Sequence, residues 1–99
     1  MQLHFTGHDI EVSDALRQLI ESKFKKITRH FNHTISRADV ILGVQKLVNS
    51  AEITVHITGA QIHAHAKEND MYKAIDQMIA KLDKQLIKYK EKMSDHHRG

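Results

Sequence analysis

Residues 53–66, ITVHITGAQIHAHA, decide the fold. Ile53, Val55 and Ile57 alternate with Thr54, His56 and Thr58, and Ile62, Ala64 and Ala66 alternate with Gln61, His63 and His65. A period of two with one apolar face is the signature of half-buried strands. Gly59-Ala60 predicts a two-residue hairpin loop with glycine first. That loop sets Ile57 opposite Ile62, Val55 opposite Ala64 and Ile53 opposite Ala66, and places His56 across from His63. All three apolar pairs fall on one face, so pattern and register agree.

The flanking sequence extends this hairpin into a domain. The strand begins at residue 51, and residues 36–46 predict another before it, with Ala38, Val40, Leu42 and Val44 facing inward. Leu47 to Ser50 reads as the turn between them, with Asn49 and Ser50 as its best turn formers. Gln2 to Thr6 predicts a first strand, with Leu3 and Phe5 on one face and Gly7 ending it. Ser13 is a candidate N-cap, with Asp14 placed to suit the helix dipole. Leu16, Ile20, Phe24, Ile27 and Phe31 then recur at steps of four and three, predicting a helix over 13–31, and Asn32-His33 loosens its end.

After the hairpin, Asp70 caps a second helix, DMYKAIDQMIAKLDKQLIKYKEKM, of about 36 Å. Its stripe is Met71, Ile75, Met78, Leu82, Leu86, Tyr89 and Met93. A helix between the first two strands implies a parallel pair with a right-handed crossover, followed by an antiparallel meander. The expected fold class is α+β: a two-layer sandwich, β-α-β-β-β-α, with a four-stranded mixed sheet and both helices on one face. Residues 1–93 form the single domain and 94–99 a flexible tail.

Composition narrows the functional classes. The 99 residues suit one core, and 40% hydrophobic with 27% charged residues describes a soluble globular chain. Cysteine is absent, which excludes disulfides and thiolate metal sites. No apolar run is long enough to span a membrane and the start lacks a signal-peptide pattern, so a cytoplasmic location is expected. The formal charge of +3 is compatible with a polyanionic partner, but only its distribution can argue for one.

That distribution is one-sided. At about 100° per residue, Lys81, Lys84, Lys88 and Lys92 share one flank of the second helix with Lys73 close by, while Asp76 and Asp83 share the other. On the first helix Lys25, Lys26 and Arg29 lie on the solvent face and Lys23 at the edge of the stripe. If the helices pack side by side, these flanks merge into one basic strip. Surface lysine and arginine neutralise phosphates and release counterions, giving affinity without sequence preference. A solvated face with i,i+4 partners, such as Glu21 and Lys25, has the same pattern.

Nine histidines are the other oddity. His56, His63 and His65 share the sheet face turned away from the helices, with Glu52 beside them, an arrangement open to zinc or to a plain polar surface. Catalytic signals are absent: there is no Gly-rich phosphate loop and no nucleophile elbow, and Asp76 and Asp83 stand about two turns apart. Tyr72 and Tyr89 read as packing or rim residues, and five aromatics are too few for a base-stacking platform.

MQLHFTGHDIEVSDALR, ITVHITGAQIHAHA and DMYKAIDQMIAKLDKQLIKYKEK together resemble the bacterial ribosome hibernation promoting factor family, in its short form, from about Met1 to Lys92. The most specific piece is DMYxAIDxxIxKLxxQLxKxK. The resemblance implies a fold similar to double-stranded RNA-binding domains. It also implies binding to the small ribosomal subunit across the mRNA/tRNA channel, translation inhibition, and inactive ribosome dimers in starvation or stationary phase. Ribosome modulation factor is the expected collaborator, and the protein itself is expected to be a monomer off the ribosome with no cofactor. The family's rRNA contacts map to Lys23, Lys26, Lys81, Lys84, Lys88 and Lys92, with Arg17, Arg29 and Lys90 in second rank. The family's long form carries a further dimerisation domain and the related inhibitor a longer tail, so the tail here favours the promoting form. The alternatives are a general double-stranded RNA-binding module, although DMYKAI lacks that fold's lysine pair, and a histidine-based metal-binding protein.

Overall fold

The computed structural model describes residues 2–31 and 33–98, with side-chain burial as far as residue 93. Its elements run β1 (Gln2–His8), α1 (Asp14–Thr28), β2 (Ile35–Gln45), β3 (Val48–Ile57), β4 (Ala60–Glu68) and α2 (Met71–Arg98). The sheet order is β1-β2-β3-β4; β1 is parallel to β2 and the other two pairs are antiparallel. This is the expected two-layer α+β sandwich.

Each strand commits one face to the core. Ala38, Val40 and Leu42 of β2, Ala51, Ile53, Val55 and Ile57 of β3, and Ile62, Ala64 and Ala66 of β4 are buried in one cluster. Leu16, Ile20 and Phe24 of α1 and Met71, Ile75, Met78, Leu82 and Leu86 of α2 complete that cluster, so both helices cover the same face. Ala74 and Ile79 widen the α2 stripe, whereas Met93 is half exposed. α2 lies on β3 and β4. α1 lies toward β1, where the Arg17 guanidinium carbon sits 5.2 Å from the centre of the Phe5 ring.

Local chemistry sets the helix ends. The Ser13 hydroxyl accepts from Leu16 N–H at 3.2 Å, which satisfies one of the free donors of the first turn. At the other end, α1 stops at Thr28 and not at Phe31. The buried Thr28 hydroxyl donates to the Phe24 carbonyl at 2.7 Å, and Phe31 N–H folds back onto Thr28 O at 2.8 Å. Phe31 still reaches the core, through a turn. Asn32, expected to loosen this end, lies outside the described residues. Asp70 does cap α2, accepting from Lys73 N–H at 3.2 Å. The expected tail begins inside α2, whose bounds run to Arg98, and Gly99 lies outside the described residues.

Three turn assignments change. β1 continues through Gly7, which pairs with Leu42, to His8. The β2–β3 turn is Lys46-Leu47; Asn49 and Ser50 instead pair with Val44 and Gly43 inside the sheet. Ladder hydrogen bonds there outweigh turn propensity, and Lys46 takes the positive φ, at 57°. The β3–β4 loop is Thr58-Gly59, with glycine second at φ 77°. Every expected pair in that hairpin therefore slips by two: Val55 faces Ile62, Ile53 faces Ala64, and Ala51 faces Ala66. A slip of two keeps each side chain on its own face.

Candidate nucleic-acid interface

α2 presents two unlike flanks because its two neighbours differ. On one side stands α1: Lys23 Nζ lies 2.8 Å from Asp76 Oδ1, and a groove lined by Lys26, His30, Asp83, Ile87 and Lys90 separates the helices. On the other side lies the edge strand β4. There Lys81 Nζ donates to the His65 carbonyl at 3.0 Å, and Gln85 Nε2 donates to the His63 carbonyl at 2.6 Å. Lys84, Lys88 and Lys92 follow Lys81 along this flank and are exposed.

The anticipated single strip is therefore divided. The acidic flank of α2, not its lysine flank, meets α1. Lys23 is engaged by Asp76, and Lys26 shares the interhelical groove with Lys90 and Asp83. Arg17 is farther off, against β1, with its Nε 3.5 Å from the Val12 carbonyl, and Arg29 is exposed at the C-cap of α1. The row Lys81, Lys84, Lys88 and Lys92 is the one continuous basic surface among the nine candidates. Such a ridge can neutralise a run of phosphates; nothing in it reads base edges.

Sequence reasoning missed the role of Lys81 and Gln85 at the sheet edge. Their side chains cover two carbonyls that β4 turns outward, and covered edges resist pairing with a second chain. No pattern in α2 alone signals this, because the acceptors belong to the backbone of another element.

The outer face of the sheet also departs from expectation. His56 opposes Gln61, and His63 opposes Thr54. His56 Nε2 lies 3.0 Å from Asp39 Oδ2, and His63 Nε2 lies 2.6 Å from Glu52 Oε2. Among the described residues no three His, Cys, Asp or Glu side chains converge as a metal site. Asp39 was legible as an outward residue between Ala38 and Val40. It went unread because its partner sits on the next strand.

A family model described as Sigma 54 modulation protein / S30EA ribosomal protein matches residues 3–94. A protein named ribosome hibernation promoting factor from Azotobacter vinelandii is 44% identical over 99 residues, covering 100% of this chain and 92% of that one. Its namesake from Escherichia coli K12 is 42% identical over 96 residues, covering 97% and 100%. Among solved structures, a ribosomal subunit interface protein from Coxiella burnetii superposes with a TM-score of 0.84 at 36% identity, covering 92% of this chain and 99% of that one. The N-terminal domain of Thermus thermophilus Protein Y gives 0.78 at 27% identity, with 89% and 94% covered. Among the described residues no helix is long and apolar enough to cross a membrane.

Proposed function

This chain belongs to the Sigma 54 modulation protein / S30EA ribosomal protein family, and we propose that it is a cytoplasmic ribosome hibernation factor. It binds the small ribosomal subunit through rRNA, occludes the mRNA/tRNA channel and so inhibits translation under starvation or in stationary phase. Together with ribosome modulation factor it favours inactive ribosome dimers. The mechanism is steric and requires no catalytic group.

The lysine flank of α2 carries this reading. Four exposed lysines line one side of a rigid helix whose opposite side holds Asp76 and Asp83 against α1. The relatives' names point to the ribosome, and ribosomal RNA is the polyanion we assign to this flank. Lys84 and Lys88 are the central contacts, Lys81 and Lys92 flank them, and Lys26 with Lys90 form a secondary contact at the groove.

Co-sedimentation with purified small subunits tests the site. Replacing both Lys84 and Lys88 with glutamate is expected to weaken binding by about tenfold or more at moderate salt, with thermal unfolding unchanged. For the unaltered chain, log affinity should fall against log salt by about 0.7–0.9 for each phosphate contact. Binding of the double variant at full strength would remove the flank as the site. Sucrose-gradient profiles of starved cells with and without the protein test the dimer peak separately.

A further inference from the structure

The helices leave one face of the sheet uncovered, and it has an unusual composition. From β1 it carries His4 and His8; from β2, Arg37 and Asp39; from β3, Glu52 and His56; from β4, His63, His65 and Lys67. Five of the nine histidines thus share one surface, on a lattice with strands about 4.8 Å apart and same-face residues about 6.8 Å apart along each strand.

We propose that this face is a second RNA-contacting surface, engaged on acidification, with protonated histidines supplying phosphate-neutralising charge beside Arg37 and Lys67. The ligand is taken from the hibernation-factor reading, but the surface is distinct from the lysine flank. With imidazoles neutral, Arg37 and Lys67 balance Asp39 and Glu52, so the face offers no net attraction to a polyanion. Imidazole is the side chain whose charge responds to mild acidification, so the histidines are where this face can gain positive charge. His56 and His63 already touch carboxylates, Asp39 and Glu52. His4, His8 and His65 are exposed, and their charge is the part available to a phosphate.

The surface also has relief. Gly43 contributes no side chain, and a hollow of about 310 Å3 opens where His8, Asp9, Gly43, Ser50 and Lys67 meet. A second hollow of about 250 Å3, between Glu52, His65 and Lys67, adjoins it. Lys67 thus lines both hollows, with one histidine at each; Asp9 is the opposing charge at the first and Glu52 at the second. Lys81, bonded to the His65 carbonyl, adds charge at the sheet edge. The rings of His63 and His65 lie 5.8 Å apart, so protonating both sets like charges together, and a bound phosphate relieves that repulsion. Proton uptake and RNA binding are consequently coupled, each favouring the other.

The test titrates the full chain into purified small subunits at about pH 8 and about pH 5.5 at one ionic strength. Affinity is expected to rise about tenfold or more on acidification, with net proton uptake seen by calorimetry in two buffers of different ionisation enthalpy. The combined variant His4→Gln, His8→Gln, His65→Gln should keep the pH 8 affinity within about twofold and lose the rise. None of those three rings makes a hydrogen bond among the described residues, so the variant should fold. A His33→Gln control should retain the rise. Lys84→Glu with Lys88→Glu should weaken binding at both pH values while keeping the ratio. Should that variant bind like the unaltered chain, the lysine reading fails while the histidine result stands. A rise that survives in the triple variant, or no rise in the unaltered chain, overturns the proposal. Independently of any variant, a short RNA duplex should shift the β4 amide resonances of His65 and Lys67 at about pH 5.5 only; shifts confined to α2 at both pH values also overturn it.

Discussion

A methyl group at position 7 has nowhere to go. A Cβ on Gly7 would strike the backbone carbonyl of Ile10, and backbone cannot swing aside as the tip of a side chain can. Gly43 differs: its nearest obstacle is the Ser50 hydroxyl oxygen at 2.8 Å, which can rotate away. Gly7→Ala should therefore destabilise the domain by about 1–3 kcal/mol, lowering the melting temperature by about 4–8 °C per kcal/mol in a scanning calorimeter. An unchanged melting temperature would mean that the loop after β1 has room to move. In the sequence Gly7 reads as the end of a strand, since glycine commonly punctuates one. The strand continues because the residue is required by a chain segment that returns close beside it, a contact that local pattern cannot express.

Elements were legible in proportion to how local their determinants are. α1 announces its start with Ser13, and removing that hydroxyl by Ser13→Ala should cost about 1 kcal/mol in urea unfolding with the slope unchanged. A loss below a few tenths would mean water replaces the cap. Its end was harder to read, because Phe31 keeps the apolar spacing of the stripe while the Thr28 hydroxyl has already turned back to the Phe24 carbonyl. The β3–β4 hairpin shows the same limit. Alternation assigns Ile53, Val55 and Ile57 to the core face in either register, so it could not choose between Thr58-Gly59 and Gly59-Ala60 as the loop. Yet that slip of two decides which histidine meets which neighbour. The lysine flank of α2 was readable outright, because 100° per residue fixes it without reference to any other element.

The whole molecule determines what that flank is worth. Side-by-side packing was expected to merge the basic residues of both helices, but the acidic side of α2 faces α1 and pairs Asp76 with Lys23. The lysines consequently line the side of α2 toward β4, while Lys25 sits on the outer surface of α1 with Lys26 and Glu21. If binding followed net charge, reversal at any exposed lysine would weaken it equally. If it follows a docked surface, position dominates, because charges farther apart than a Debye length of about 8 Å are largely screened at physiological salt. Lys84→Glu and Lys25→Glu make the same change to a formal charge of +3, so the pair separates the two cases. Lys84→Glu is expected to weaken small-subunit binding by about tenfold and Lys25→Glu by less than about threefold at the same salt. Equal losses would mean that the chain is held by its overall charge, and the one-sided flank of α2 would then be a solvated face and not the interface.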